Sequence, residues 1–291
     1  MSLRLYEPIR ARTIPQLGRR ILLMSKYASI AAMLALAGVS AFAQSGTPSS
    51  KATAAINTAV WCTYSTSGSA SDTGVPAVSS CTDLFSGAAV TPTPDNFIPI
   101  MATTIKVSNS QSLFVTPSMV TGLYTNTAVK TRTSGGTGSS STAVAMGGVY
   151  LRAVLYDASG NMIVAFPIQA CTSDILGCVL VPSTGGAGSA YGVMLDSRIQ
   201  TLSQTLSGCT VSTGGTCSFD LTTQLILQTA SSHTFGFIFP NVGVGTYTVS
   251  IQAALDSNAS TSGTAYAVGA SAFGLGSVTV ESVRLVHGFS F

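Results

Sequence analysis

The feature that most constrains the fold is an alternation of apolar and polar side chains with a period of two, the period of a β-strand. It is clearest over 246–255, where one face consists of Tyr247, Val249, Ile251, Ala253 and Leu255. Glycine breaks up most segments with a helical period, so no amphipathic helix of useful length is expected after the N-terminal part. The sequence therefore predicts an all-β protein.

Two neighbouring segments predict a central strand and a hairpin. Residues 143–156 are largely apolar on both faces apart from Arg152, which is typical of a strand covered on both sides. The stretch DASGN (157–161) contains residues that tolerate left-handed backbone, so it predicts a tight turn. Residues 162–168 are then expected to return as the hairpin partner. The alternating oxygens of the turn resemble a calcium loop only superficially, because no later bidentate acid follows.

The segment FIFPNVGVGTYTVSIQA (237–253) predicts a second hairpin, between 235–239 and 246–255. It resembles the hairpin of bacterial secreted immunoglobulin-like and jelly-roll β-sandwich modules. The resemblance implies an antiparallel β-sandwich in which Tyr247 packs into the core with its hydroxyl near a backbone partner. It also implies a role that is structural or adhesive rather than catalytic. Immunoglobulin-like and jelly-roll topologies both stay open.

The stretch SVTVESVRLVHGFSF (277–291) predicts a last strand with a mostly apolar face. Val278 and Val280 have the opposite parity to Phe291, so a bulge is expected near 281–282. We expect a kinked sandwich strand in which Phe291 closes the core. An outer-membrane β-barrel is the alternative, because such barrels also close on a strand with a terminal Phe. Short unequal strands and six cysteines favour the sandwich.

The N-terminal part predicts export. Residues 24–43 contain a lysine near their start, an apolar stretch and then Ala41-Phe42-Ala43, which is the order of a secretory signal peptide. The expected organisation is an extension plus signal peptide over 1–43, a flexible lead-in over 44–56 and a single secreted β-sandwich domain over 57–291. The expected location is the periplasm, the cell surface or the medium.

Charge bears on the expected partners. The full chain has 13 Lys and Arg against 10 Asp and Glu, but residues 44–291 have only 7 against 9. No cluster of basic residues remains there, so nucleic acid is not an expected partner. No apolar run long enough for a membrane helix follows Ala43, so no helical anchor is expected. A surface glycan or another exported protein is the expected partner.

Six cysteines predict a disulfide-stabilised sandwich, because all of them follow the signal peptide and their number is even. Nearest-neighbour pairing is predicted, since each pair brackets a short turn-like stretch that closes easily. No C-x-x-C motif occurs and the two histidines have no ligand spacing, so neither a metal nor another cofactor is expected. The predicted pairs are Cys62–Cys81, Cys171–Cys178 and Cys209–Cys217.

A catalytic site is not predicted. His233 and His287 are the only histidine bases, and no G-x-S-x-G nucleophile motif occurs. Acidic residues after position 43 are scattered singly, and those that interrupt strand-like stretches are Asp196 and Glu281. Both are expected to be structural, with the arginines Arg152 and Arg198 as ion-pair partners in the sheet.

The leading hypothesis is a secreted, non-enzymatic β-sandwich protein with a structural or cell-surface interaction role. A carbohydrate-binding module is a second hypothesis, because the exposed rings of Trp61 and Tyr64 would form a stacking platform for sugars.

Overall fold

The computed structural model describes residues 52–90, 97–134, 137–181, 190–208, 215 and 217–284. Its strands form two sheets packed face to face, antiparallel apart from one two-residue parallel pair, so the predicted all-β sandwich is confirmed. The signal-peptide prediction, which falls on 1–43, lies outside the described residues. Helices in the described ranges are single turns, too short to cross a membrane.

The described strands are β1 (Ala52–Asn57), β2 (Trp61–Gly68), β3 (Ala89–Val90), β4 (Ile98–Val107), β5 (Gln111–Thr133), β6 (Ser139–Tyr156), β7 (Met162–Val164), β8 (Cys178–Val181), β9 (Ala190–Leu206), β10 (Phe219–Thr234), β11 (Phe237–Val242), β12 (Gly245–Ser262) and β13 (Thr264–Val283). The helical turns are α1 (Ala70–Thr73), α2 (Cys81–Leu84) and a 3₁₀ turn at Ile168–Ala170.

Sheet A has the order β10–β5–β13–β2–β3, with β11 continuing the edge beside β5 and β1 lying beside β13. Sheet B has the order β4–β12–β6–β9–β8, with β7 beside the end of β6. The segment predicted as a central strand is β6, between β12 and β9. The predicted β6–β7 hairpin forms as expected, with Val154 opposite Val164.

The second predicted hairpin is wrong. Strand β11 pairs with β5 in sheet A, whereas β12 pairs with β4 and β6 in sheet B. The connection therefore crosses between the sheets, and it includes Asn241 in a left-handed conformation, with φ of 52°. Alternation shows which face of a strand is buried but not which strand pairs with it. Tyr247 packs against the core and its hydroxyl donates to the Gly243 carbonyl at 3.2 Å.

The bulge expected near 281–282 lies elsewhere. Strand β13 pairs with β5 in regular register from Gly276 to Val283, and the irregularity is at Leu275, where φ is 39°. The buried face changes parity there, from Phe273 before the bulge to Val278 after it. The parity of Phe291 predicts the change too late along the strand, and Phe291 itself lies outside the described residues.

The ordered sheet begins earlier than the flexible lead-in over 44–56 implied. Residues 52–57 form β1, which pairs with β13 from Glu281 to Gly276. Small and hydroxyl-bearing residues suggest a flexible segment by composition, but here an existing strand supplies the hydrogen-bond partners.

Two of the predicted disulfides are present, Cys62–Cys81 and Cys171–Cys178. Cys217 is also disulfide-bonded, whereas Cys209 lies outside the described residues. The Cys62–Cys81 bond attaches the segment 69–88 to the outer face of sheet A. That segment buries Tyr266 and Val268 of β13 against it, and so gives the central strand a cover on its outer side.

The core between the sheets has a different composition at its two ends. One end is filled by large side chains that include Phe237, Phe239 and Leu155. The other end contains small residues, among them Ala143, Ala265 and Ala267.

The two sheets also approach closely at Gly269 and Gly147. A Cβ on Gly269 of β13 would collide with the carbonyl oxygens of Met146 and Asn258 in sheet B. A Cβ on Gly147 of β6 would lie 2.5 Å from the Ala270 carbonyl oxygen in sheet A. Glycine is required at such points because the backbones themselves are in contact.

Candidate functional site: the open side between β9 and β10

Strand β10 forms an exposed edge of sheet A. It is 16 residues long and pairs with β5 along its whole length. Within the described ranges no strand pairs with its other side, so one row of backbone N–H and C=O groups is free. Every side chain from Phe219 to Ala230 is exposed. This is the longest stretch of unpaired edge in sheet A as described.

An apolar row follows one face of this edge, and we call it the β10 stripe. It consists of residues at alternate positions, which are exposed by 48, 45, 41 and 43%: Phe219, Leu221, Leu225 and Leu227. The unbroken β10–β5 register places the stripe on the same face as Thr229 and His233, whose side chains contact sheet B. Four large side chains on the inward-facing side of a sandwich are normally covered, but here they are half exposed.

Sheet B ends before it covers the stripe. Strand β9 lies under β5, because the Gln200 side chain accepts from Thr125 Oγ1 at 2.8 Å and donates to Thr127 Oγ1 at 2.6 Å. Strand β8 pairs with β9 only over 190–193, so the rest of β9 has a free edge among the described residues. The side of the sandwich between β9 and β10 is therefore open.

Polar side chains of β9 bridge the gap to β10 on the inward side of the two strands. Besides its contacts with β5, Gln200 donates to the Leu225 carbonyl of β10 at 2.8 Å. Arg198 Nη2 donates to Thr229 Oγ1 at 2.9 Å. These bonds hold β10 to β9 across the gap while leaving the β10 stripe in contact with solvent.

The structure brings together two of the residues considered for catalysis, Asp196 and His233. The His233 Nε2 atom lies 3.4 Å from the Asp196 carboxylate, which is an ion-pair contact when the imidazole is protonated. The hydroxyl of Thr121 also approaches this carboxylate and donates to it at 2.7 Å. Because that proton is directed to Asp196 rather than to the imidazole, the arrangement links three strands and does not activate the Thr121 hydroxyl as a nucleophile.

Other predicted site residues are not brought together. Trp61 faces the core between the sheets, whereas Tyr64 lies on the opposite face of β2 and donates to the Ser79 carbonyl at 2.7 Å. The two rings therefore form no common surface. Glu281 is exposed on β13, where its backbone lies opposite Phe114 of β5, and His287 lies outside the described residues.

The arginines do not form the expected ion pairs with acids in the described part of the chain. Arg152 Nε donates to Gln252 at 2.8 Å, and its guanidinium lies 4.3 Å from the centre of the Phe97 ring. Burial lowers the pKa of Arg152. The side chain lines a cavity of about 460 Å³ on the outer face of sheet B, together with Ile163 and Tyr191.

The turn that resembled a calcium loop is held by its own hydrogen bonds. The Asp157 carboxylate accepts from the backbone N–H groups of Ser159 and Asn161 and from the Asn161 amide. These bonds, that from the Asn161 side chain above all, lower the pKa of Asp157. Across the described ranges, no three His, Cys, Asp or Glu side chains cluster as metal ligands would.

Sequence reasoning missed β10 as a site. The signal that would have found it is the long run without charge between Asp220 and His233 in a β-rich sequence. No protein-family model matches the sequence, and no curated protein is significantly similar to it.

Proposed function

We propose that the protein is exported and has a structural or surface-interaction role, in which the free edge of β10 accepts a further strand. The observation that carries this proposal is the exposed, unpaired β10 edge with its half-exposed stripe. A strand added there would satisfy the free backbone groups and cover the apolar side chains. Extended peptides bind sheet edges in this manner in many recognition modules.

The contrast between β10 and β4, one of the edge strands of sheet B, supports the proposal. Proteins that keep their sheet edges free of partners place lysine, proline or bulges there. Strand β4 carries Pro99 and Lys106, and its ladder with β12 has an irregular step. Strand β10 has no proline, and its residues 221–232 carry no charge. The β4 edge is therefore protected against strand addition, whereas the β10 edge is not.

Export is supported by the signal-peptide pattern and by the cysteines. Disulfides persist in oxidising compartments and are rare in the reducing cytosol. The Cys62–Cys81 and Cys171–Cys178 bonds are of the kind that an exported protein keeps. A sugar-stacking platform is not proposed, because Trp61 and Tyr64 lie on opposite faces of their strand.

The proposal is tested by following the tagged full chain in the cells that produce it. We expect the protein in the exported fraction and attached at the cell surface. The variant L225K/L227K is expected to be released into the medium, because lysine on the stripe opposes strand addition. The control I163K/I199K makes the same change at two exposed isoleucines of β7 and β9 and is expected to stay attached.

Equal thermal unfolding of both variants would show that the lysines have not unfolded the domain. Equal surface attachment of the two folded variants would refute the role of β10. Retention of the wild-type chain in the cytoplasm would refute export.

A further inference from the structure

The sequence of β10 is symmetrical about Ile226. Residues 223–229 read TQLILQT in both directions, so leucine, glutamine and threonine recur at equal distances on either side of the centre. This symmetrical run lies in the exposed part of the edge, where the side chains of both faces are open to solvent.

A symmetrical edge strand is suited to pair with its own copy. When two identical strands pair antiparallel about a two-fold axis, each residue lies opposite the one at the same distance on the other side of the axis. With the axis at Ile226, Leu225 lies opposite Leu227 of the second copy, and Gln224 lies opposite Gln228. Thr223 lies opposite Thr229 in the same way. Every residue from 223 to 229 therefore lies opposite a residue of the same amino-acid type in the second copy.

We propose that the strand accepted by β10 is β10 of a second copy of this chain, antiparallel and centred on Ile226. This inference rests on the proposed function, since it names the partner for the same edge. The register joins odd-numbered residues to odd-numbered residues. The inward face of sheet A in one copy therefore continues into the inward face of sheet A in the other.

The apolar side chains support this register. Leu225 and Leu227 of the two copies form a group of four leucines at the axis, on the face of the β10 stripe. The two Ile226 side chains meet on the opposite face, where Ile226 is 50% exposed in the single chain. A shift of two residues would instead place Ile226 opposite glutamine, and would place one leucine of each copy opposite threonine. Directly opposite apolar pairs are the unit that stabilises antiparallel sheets.

The charges are compatible with the same pairing. Asp220 comes opposite Ser232 of the second copy, and Phe219 comes opposite His233. Asp220 already has ion pairs within its own chain, to Lys130 at 3.5 Å and to Arg132 at 3.1 Å. No like charges therefore lie directly opposite each other across the contact.

The contact reaches the size of a specific interface. The register covers residues 219–233, a length of about 50 Å at about 3.4 Å per residue. With a sheet about 10 Å thick, the contact buries about 500 Å² on each copy, or about 1,000 Å² in total, which is the size at which specific interfaces begin. The ladder adds about fifteen backbone hydrogen bonds, compared with about ten in a typical interface.

Cysteine cross-linking tests both the pairing and its register. In the proposed dimer, the two Ile226 Cα atoms are about 4.5–5.5 Å apart, a distance that a disulfide spans. We therefore expect full-chain I226C to form a covalent dimer on mild oxidation. Thr222 is also exposed, but the control T222C should stay uncross-linked, because its two copies are about 27 Å apart along the strand. Mixing T222C with A230C should give the cross-linked heterodimer, since these two positions lie opposite each other.

Analytical ultracentrifugation of the wild-type chain supplies the second measurement. We expect a concentration-dependent dimer that becomes monomeric in L225K/L227K, because four lysines would meet at the axis. A wild-type chain that stays monomeric at every concentration would overturn the inference. Cross-linking of T222C as fast as I226C would overturn the register.

The two proposals fail in different ways. If the wild-type chain is monomeric but L225K/L227K still releases it from the cell surface, the role of β10 stands and its partner is a strand of another protein. If the dimer forms but surface attachment does not depend on it, the self-pairing stands and the proposed role fails.

Discussion

Replacing Gly269 with alanine tests how closely the two sheets approach. Gly269 lies within β13, and a Cβ there would meet the carbonyl oxygens of Met146 and Asn258 and come within 2.7 Å of the Met146 nitrogen. These are backbone atoms of β6 and β12. Met146 of β6 lies in ladders on both sides, to β12 and to β9, and Asn258 of β12 is paired directly with Met146. A flexible side chain would move aside, but these atoms cannot move without separating the sheets.

The expected cost follows from this geometry. Overpacking a core costs about 1–3 kcal/mol, and backbone obstruction from two strands places Gly269→Ala near about 3 kcal/mol. Replacing glycine by alanine also restricts the unfolded chain, which returns about 0.5–1 kcal/mol. The free energy of unfolding should therefore fall by about 2 kcal/mol or more. For a domain of this size that is a decrease in Tm of about 4–8 °C.

Urea and thermal unfolding of three glycine-to-alanine variants, with different amounts of space at the Cβ position, measure this loss of stability. Gly147→Ala should also destabilise, because its Cβ would lie 2.5 Å from a carbonyl oxygen of the other sheet. Gly236→Ala is the matched control, since nothing lies within 4 Å of its Cβ position, and it should be neutral or slightly stabilising. If Gly269→Ala is as stable as Gly236→Ala, the sheets are further apart than described and the reasoning is refuted.

Three further predictions concern polar groups and a disulfide. Gln200→Leu should lower the free energy of unfolding by about 2–3 kcal/mol, because it removes three hydrogen bonds, two of them buried. Gln204→Leu on the same strand should cost little, since the buried Oε1 of Gln204 accepts no hydrogen bond from a described residue, and urea unfolding compares the two variants. The folded pKa of Asp157, measured by NMR titration, should lie below the unfolded value of about 3.9. The stabilising contribution of Asp157 is therefore present above the unfolded pKa and is lost as the pH falls through the lower folded pKa. Asn161→Ala should raise the folded pKa of Asp157, and an unchanged titration midpoint would contradict the turn geometry. Replacing both Cys62 and Cys81 by alanine should lower the free energy of unfolding by about 3 kcal/mol in the same assay, because the disulfide closes a loop between residues 19 positions apart. A decrease below about 1 kcal/mol would show that the segment 69–88 is held by its other contacts.

Sequence periodicity predicted the faces of strands well. The alternation over 246–255 places Val249, Ile251, Ala253 and Leu255 in the core between the sheets, as expected. The two-sided apolar segment is the centrally placed β6, and the DASGN turn joins it to β7. These features depend on local chemistry, which the residues themselves carry.

Pairing partners could not be predicted in the same way. Strands β11 and β12 follow each other with a short connection, yet they belong to different sheets, because the direction taken by the chain at 241–245 decides the partner. Gly274 and Gly276 flank the bulge and are typical of such irregularities, but they do not identify Leu275 as the residue with positive φ, a conformation that leucine rarely adopts.

The candidate site was missed for a related reason. The apolar alternation of β10 is the same as that of a buried strand, and its exposure from Phe219 to Ala230 depends on where sheet B ends, which the local sequence does not show. The same limitation applies to Asp196 and His233, whose contact joins β9 of one sheet to β10 of the other.

The strand order has a consequence for when the chain folds. Strand β13 pairs with β1, β2 and β5, and strand β12 pairs with β4 and with most of β6. These pairings join segments that are more than 90 residues apart in the sequence. Loops of that length must close before their contacts contribute any stability. Neither sheet can be completed until β12 and β13 have been synthesised. The topology itself thus delays folding during synthesis, and a chain that is still extended is one that can be threaded through a membrane channel.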